Sequence, residues 1–396
     1  MDKSYEKQDH CDWISSLPDE ILVAILHKVD TKTAVSTSLL SRRWRYIWTL
    51  LQSVRFSEVS IPANYCWVRL GPWEKEYLNA NKVNHFVQSL QWFSEIKRGE
   101  TTLRKLSLVF SGSVECSDVV NSAIASASER GVMHVDLAIV GHTKYEFPSW
   151  LFSGGTCSSL VTLSLNHCKF SLPISFKGFS SLTKLVLVAM HMSLKDTQVL
   201  LRNCTKLQSL HLIDISDIRV LQLPKLKELV WLWTPPCGAF KIDTPALRVL
   251  DYCGELLPVC TFQSLPCLEH VSLQYLYGDH PDHHTEKLQT ISTRFPHVKS
   301  LHLRYQVPKV RYLSFLESCN GVVWDDFNFE HNSLEEVEMY NFKGRDNEIG
   351  FARLLLRRAP NMRRIAFSQI PLREAVDRQF MPPDWPRAEE FSPRDN

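Results

Sequence analysis

The sequence predicts an α/β fold, in which a small N-terminal unit of three short helices precedes a curved solenoid with a parallel sheet on its concave face. Two patterns predict this arrangement. Apolar residues at helical spacing fill residues 17–51, and the motif L-x-x-L-x-L returns throughout residues 103–367. Such a returning motif is typical of stacked units, because each unit can bury its apolar edge only against its neighbours.

The first helix is predicted to begin near Pro18, because proline suits the first helical position, where its missing N–H is no loss. Asp19 and Glu20 then lie in the first turn, where the helix dipole favours negative charge. Apolar residues follow at helical spacing and are predicted to form one face: Ile21, Leu22, Ile25 and Leu26.

Two further short helices are predicted before residue 52. Asp30 or Thr31 can cap the second helix, and Ser41 can cap the third. The apolar residues of the second are Ala34, Val35, Leu39 and Leu40, and those of the third are Trp44, Ile47, Trp48 and Leu51. A segment this short is only marginally stable alone, so we expect much of its apolar surface to bury against another body.

The runs LPDEIL from Leu17 and TKTAVSTSLLSRRWRYIW from Thr31 match LP-x-E-I-L and A-V-x-T-S-x-L-S-[KR]-R-W-R, and the segment therefore resembles an F-box in the form common in plants. Two positions depart from the family pattern, Val29-Asp30 in place of Leu-Pro and Thr33 in place of an acidic residue. Neither departure removes an apolar contact. The resemblance implies docking onto a Skp-type adaptor and through it onto a cullin ubiquitin ligase core. The alternative is a helical cap packed on the next domain.

The adaptor contacts are predicted to come from the apolar side chains of this unit. The candidate residues are Leu17, Pro18, Ile21, Leu22, Ile25, Val35, Leu39, Leu40, Trp44 and Trp48.

The motif L-x-x-L-x-L, with conservative replacements, is the signature of leucine-rich repeats, each a short strand and a return segment. It begins at Leu103, His134, Leu160, Leu182, Leu207, Leu226, Leu247, Leu268, Val298, Leu334 and Met362. The Asn or Cys usual three positions after the last leucine is present only as Cys168. The backbone hydrogen-bonding groups of the turns must therefore find other partners.

Residues 148–187 resemble the repeats of plant F-box proteins that carry leucine-rich repeats, and residues 333–367 resemble the FBD module that often closes such chains. An amphipathic helix is predicted at 82–96 and another at 348–358, where Pro360 stops it. The predicted division is a disordered N-terminus (1–12), the F-box (13–51), a connector with an amphipathic helix (52–102), the repeats (103–333), an FBD-like cap (334–368) and a disordered proline-rich tail (369–396).

Composition excludes several classes of function. A formal charge of +2 argues against general binding to nucleic acid, and no apolar run is long enough to span a membrane. Eleven cysteines without a CxxC pair and a polar N-terminus predict the nucleus or cytoplasm. Nucleophile-elbow, Walker, HExxH and Rossmann patterns are absent from the sequence, so we expect a non-catalytic chain without cofactors.

A metal site is the less favoured interpretation of the cysteines that recur every seven residues. Cys253, Cys260 and Cys267 precede His280, His283 and His284. Zinc needs four ligands that converge in a tetrahedron, usually from closely paired cysteines. We interpret these residues as small apolar side chains and a solvated loop.

The client-binding surface is predicted on the concave sheet, because the motif leucines point inward and alternate positions face outward. The candidate residues are Val230, Leu232, His270, His302, Arg304, Glu336, Glu338 and Tyr340. The alternatives are an error of register, or burial of these residues under a loop such as 306–332.

The sequence therefore predicts the substrate-recognition subunit of an SCF-type cullin ubiquitin ligase, which binds a client protein through its repeats. One alternative is a non-degradative F-box scaffold. Another is a small-molecule receptor, in which His270, His302 and Arg304 would suit an acidic ligand in the concave groove.

Overall fold

The fold is seen in a computed structural model. The described residues are 13–14, 16–58, 80–95, 102–111, 114–140, 145–149, 159–174, 176, 179–215, 218, 220–234, 241–254, 265–275, 296–305, 330–340, 342, 344 and 346–368. The predicted disordered ends, 1–12 and 369–396, lie outside the described residues.

The N-terminal unit contains α1 (Asp19–Leu26), α2 (Thr31–Ser36) and α3 (Trp44–Ile47). Asp30, rather than Thr31, caps α2, because its Oδ1 accepts the backbone N–H of Thr33 at 2.9 Å. This hydrogen bond is the main reason that the pKa of Asp30 is lowered. Thr31 instead joins the unit to the solenoid, since its Oγ1 accepts the backbone N–H of Arg55 at 2.8 Å.

A parallel sheet of twelve strands forms the concave face of the part that the structure describes. Its strands are β1 (Ser53–Ser57), β2 (Lys105–Phe110), β3 (His134–Ile139), β4 (Thr162–Asn166), β5 (Lys184–Val188), β6 (Ser209–Ile213), β8 (Glu228–Thr234), β10 (Val249–Gly254), β11 (His270–Tyr275), β12 (Ser300–Tyr305), β13 (Glu336–Tyr340) and β14 (Arg364–Ser368). Between them, β7 (Val220–Gln222) and β9 (Lys241–Asp243) pair with each other as a separate ladder. The remaining helices are α4 (Ala80–Glu95), α5 (Val114–Glu129), α6 (Leu194–Asn203) and α7 (Asp346–Arg358).

The predicted solenoid fold is confirmed, with two differences in the strands. β1 lies in the predicted connector, where Leu51, Val54 and Phe56 fit the motif with replacements and are buried. The second repeat begins two residues before the predicted start, because His134 pairs with Lys105 in the sheet.

One hydrophobic core runs from the N-terminal unit to the last strands. Leu22 and Trp44 belong to it, and Phe56 of β1 meets Phe93 of α4 edge to face, with ring centroids 5.4 Å apart. The helical unit itself contacts this first strand through α2, and the Thr31 hydrogen bond joins the same two elements.

The turns after β4, β5 and β6 show how the repeats satisfy their backbone groups. His167, Ala189 and Asp214 have positive φ angles of 55°, 46° and 53°. The backbone N–H of each donates to a carbonyl oxygen of the next strand in the sheet, at the last residue of the pairing between the two strands. His167, for example, donates to the carbonyl oxygen of Val188 at 2.9 Å. A repeated left-handed residue, with its hydrogen bond to the next strand, is thus one substitute for the asparagine ladder.

Candidate functional site

The N-terminal unit exposes several large apolar side chains, which are called the exposed apolar surface below. Leu39 is 88% exposed and Leu40 is 68% exposed, at the end of the turn that follows α2. A single exposed apolar side chain is ordinary on a protein surface, whereas a group of them marks an interaction site. Here several are grouped within a short segment of the chain. The other exposed apolar side chains of the unit are Trp13, Ile14, Ile21, Ile25, Val29 and Tyr46.

Three of the predicted adaptor contacts are wrong, because their side chains are not at the surface. Leu22, Trp44 and Trp48 are at most 5% exposed and belong to the core of the chain itself. Neighbouring residues on a helix are turned by about 100°, so Leu22 faces inward while Ile21 faces solvent. These three side chains support the surface, and a rigid partner cannot reach them.

The rest of the predicted adaptor set lies at or near the surface. Pro18, Ile21, Ile25, Leu39 and Leu40 are exposed, and Leu17 and Val35 are half-buried and pack against the core. Sequence reasoning missed Tyr46, because it treated α3 as having a single apolar face. It also missed Trp13 and Ile14, since they precede the family motif.

A polar contact fixes the start of α1. The guanidinium of Arg43 donates from Nε to Oδ1 of Asp19 at 2.9 Å, and its Nη2 also donates to the carbonyl oxygen of Leu17. Arg43 lies just before α3. The contact therefore fixes the turn that contains Leu17 and Pro18 relative to the third helix.

Two of the predicted client contacts on the concave face are also wrong, because their side chains are buried. Val230 is 8% exposed and Leu232 is 4% exposed, and both belong to a second hydrophobic cluster. Leu232 lies in a row across the sheet with Ile213 and Cys253. The predicted register is right, but the side chains are buried, as the second of the earlier alternatives allowed. The loop 306–332 that was considered as their cover lies outside the described residues.

Further along the concave face, the predicted residues form a polar group. Tyr340 donates its hydroxyl to Glu338 Oε2 at 2.6 Å, and Arg364 lies 3.1 Å from Glu338 Oε1. His302 lies beside Tyr340, with ring centroids 6.4 Å apart, and contacts Ser300 Oγ at 3.2 Å.

The remaining members of the predicted client set are less fully defined. His270 and Glu336 are exposed on β11 and β13. Arg304 lies on β12, and its side chain is outside the described residues.

A second polar cluster on this sheet was not predicted, because its members come from two strands. Ser209 and His211 of β6 meet Glu228 of β8, with Ser209 Oγ donating to Glu228 Oε2 at 2.6 Å and His211 Nε2 3.5 Å from the same oxygen. Hydrogen bonding to His211, with a further contribution from Ser209, lowers the pKa of Glu228 to about 2. The serine donates to the carboxylate rather than to a basic imidazole, so this arrangement does not activate a nucleophile.

The structure describes only two of the six candidate metal ligands. Cys253 is buried, Cys267 is exposed, and Cys260, His280, His283 and His284 lie outside the described residues. Among the described residues, no group of three or more His, Cys, Asp or Glu side chains is placed to hold a metal ion. The helices within the same ranges are all too short or too polar to cross a membrane.

Comparison with known proteins matches both parts of this architecture. Residues 97–316 match the family model described as At1g61320/AtMIF1, LRR domain, and residues 14–69 match the F-box domain. The leucine-rich-repeat model alone covers more than half of the chain.

Curated relatives from Arabidopsis thaliana are named as F-box proteins, some of them with leucine-rich repeats. F-box/LRR-repeat protein At4g14096 is 27% identical over 93% of this chain and 75% of its own length. F-box/FBD/LRR-repeat protein At1g13570 is 29% identical over 51% of this chain and 44% of its own length, and F-box protein At3g59000 is 30% identical over 64% and 51%.

The chain spans about half the length of most of the curated relatives it matches. The names of two relatives contain FBD, and the FBD-like assignment of residues 334–368 stays a prediction. The matched domains, the relatives and the helical unit joined to a parallel repeat sheet agree, and the chain belongs to the F-box/LRR-repeat proteins.

Proposed function

We propose that the chain is the substrate-recognition subunit of an SCF-type cullin ubiquitin ligase and performs no bond chemistry itself. The observation that carries this proposal is the exposure of four apolar side chains in this short unit: Leu39, Leu40, Ile21 and Ile25. An apolar surface of this kind is stabilised when a partner removes it from water. The F-box match makes a Skp-type adaptor the partner that fits.

The mechanism that we propose is proximity. The client would be held by the repeat sheet while the F-box is held by the ligase core, which raises the local concentration of client lysines near the conjugating enzyme. The contact of α2 with β1 and the hydrogen bond from Arg55 to Thr31 support this role, because they join the two parts without a free linker.

The client surface that we propose is smaller than the one the sequence predicts. Val230 and Leu232 are removed from it, since both are buried. The polar group of His302, Glu338 and Tyr340 remains, together with the other concave positions His270, Arg304 and Glu336. The partner is an unidentified protein, and the complex is proposed to act in the nucleus or cytoplasm.

The experiment is purification of the tagged full chain from cells, with adaptor and cullin measured in the eluate. Leu39→Glu should lose both, because a carboxylate would replace an anchor within an apolar contact. Ile174→Glu is the matched control, since Ile174 is also fully exposed but lies in an early repeat. Recovery of adaptor with Leu39→Glu at the level of the control would contradict the proposal.

A second readout in the same cells distinguishes a ligase subunit from a non-degradative scaffold. A ligase subunit predicts that client proteins found with the wild-type chain accumulate when the proteasome is blocked. A scaffold predicts that adaptor is recovered without cullin and that the half-life of the client does not change.

A further inference from the structure

The two edges of the sheet differ in how far their inward-facing apolar residues are buried. β1 and β14 each have one neighbour among the described strands. At the β1 edge, the inward residues Val54 and Phe56 are buried. At the β14 edge, the inward residue Phe367 is 47% exposed, whereas Met339, which pairs with it on β13, is 1% exposed. The last strand thus presents apolar surface that would be buried if another strand followed it.

The backbone of β14 has hydrogen-bonding groups on this open side. The backbone N–H of Arg364 donates to the carbonyl oxygen of Glu335 at 3.1 Å, and the carbonyl oxygen of Ser368 accepts from the backbone N–H of Phe342 at 3.1 Å. The backbone groups of Arg364 and Ser368 therefore point to the β13 side. In a parallel ladder alternate residues point to the same side. The N–H and C=O groups of Ile365 and Phe367 therefore point away from β13, toward the edge.

We propose that β14 pairs antiparallel with β14 of a second copy of this chain, in a register centred on Ala366. Ile365 then lies opposite the partner's Phe367, and the two residues that point to the edge form four hydrogen bonds across the twofold axis. The same apolar pair is formed twice on the core side of the sheet, and Arg364 lies opposite the partner's Ser368, so no like charges meet.

The charges near the edge favour this partner. Arg364 lies 3.1 Å from Glu338, and Arg363 lies 3.3 Å from Glu335, so both arginines are balanced within their own chain. Edge strands are commonly protected by charged side chains or a proline. Arg364–Ser368 has no proline, and its one charged residue is paired with Glu338. Self-pairing satisfies the edge groups of Ile365 and Phe367 and places no like charge opposite Arg364. This pairing does not depend on the adaptor surface, which lies at the other end of the sheet.

A cysteine crosslink tests the register directly. In the proposed dimer the two Ala366 residues form a non-hydrogen-bonded pair with Cα atoms about 4.5 Å apart, within the range for a disulfide. Two Ser368 residues would be about 13 Å apart, which is too far. Ala366→Cys should give a covalent dimer on mild oxidation, and Ser368→Cys should stay at the wild-type background that the native cysteines set. Equal crosslinking of the two variants would overturn the proposal.

Light scattering of the full chain across a series of concentrations tests association itself. The wild type should shift from monomer to dimer, and Phe367→Lys should stay monomeric, because lysine places a charge in the apolar joint. Ile174→Lys is the control and should dimerise as the wild type does, and all chains should show the same circular dichroism spectrum and bind adaptor equally. A chain that stays monomeric at every concentration would overturn the proposal. So would a dimer that forms only after residues 369–396 are removed, since that would assign the edge to the tail.

Discussion

Arg43 and Asp19 join the beginning of α1 to the beginning of α3, with Arg43 Nε 2.9 Å from Asp19 Oδ1. The same guanidinium also binds the carbonyl oxygen of Leu17. Both side chains are partly exposed, so the ion pair adds little to stability. Its role is to fix the turn that presents Leu17 and Pro18 beside the exposed apolar surface.

A double-mutant cycle at Asp19 and Arg43 should therefore give a small coupling free energy. We expect less than about 1 kcal/mol, because solvent screens the pair. Urea unfolding of Asp19→Ala, Arg43→Ala and the double variant measures it. A coupling free energy above about 2 kcal/mol would mean that the pair supports the fold rather than the position of the turn.

Thr31→Val should lower the free energy of unfolding by about 1–3 kcal/mol, because the N–H of Arg55 loses its acceptor at a buried side chain. Thr33→Val is the matched control. The Thr33 hydroxyl also makes a hydrogen bond, to Asp30 at 2.8 Å, but it is exposed, so its loss should cost less. Thermal unfolding compares the two variants, and equal losses would show that Thr31 does not fix the helical unit to β1.

Leucine-to-alanine changes at two positions test the corrected surfaces. Leu232→Ala should lower the free energy of unfolding by about 2–5 kcal/mol, since Leu232 is buried in the second hydrophobic cluster. Leu39→Ala should change it by less than about 0.5 kcal/mol, since Leu39 is 88% exposed. If Leu232→Ala were as mild as Leu39→Ala, the concave cluster would be open and Val230 and Leu232 would return as client contacts.

Acid should weaken one contact on the concave sheet in a defined range of pH. The pKa of Glu228 is about 2 in the folded chain, against an ordinary value of 4.5, because His211 and Ser209 favour the carboxylate. The depressed pKa stabilises the fold above pH 4.5, and this contribution is lost as the pH falls through about 2.

Glu228→Gln isolates that contribution from those of other carboxylates. The difference in unfolding free energy between the wild type and Glu228→Gln should be largest above pH 4.5 and should shrink toward pH 2. Urea unfolding at a series of pH values measures it. A difference that is constant over this range would show that the Ser209 and His211 hydrogen bonds do not favour the charged form.

The fold was largely predictable because both of its patterns are local. The motif positions place Leu106 and Leu108 in the core, as expected for a strand with one buried face. The same pattern was present at Leu51, Val54 and Phe56, but it stood next to the helical unit and was not recognised as a strand.

The candidate site was less predictable, because exposure depends on what packs over each side chain. Periodicity places Ile21 and Leu22 together, yet only the contact of α1 with α3 and with the turn Trp48–Leu50 decides that Leu22 is covered. Likewise, alternation shows that Leu232 points away from the main core, but not that it is buried in a second cluster. Side-chain contacts between strands, such as that of Ser209 with Glu228, cannot be predicted from the sequence pattern of either strand alone.

The most direct test is the dissociation constant of the full chain for a purified Skp-type adaptor, measured by isothermal titration calorimetry. The account predicts that Leu39→Glu weakens binding by at least about tenfold, since an exposed anchor becomes a desolvated charge. Ile174→Glu should bind as the wild type does. Wild-type affinity for Leu39→Glu, or no binding by the wild-type chain, would contradict the claim that this surface docks the adaptor.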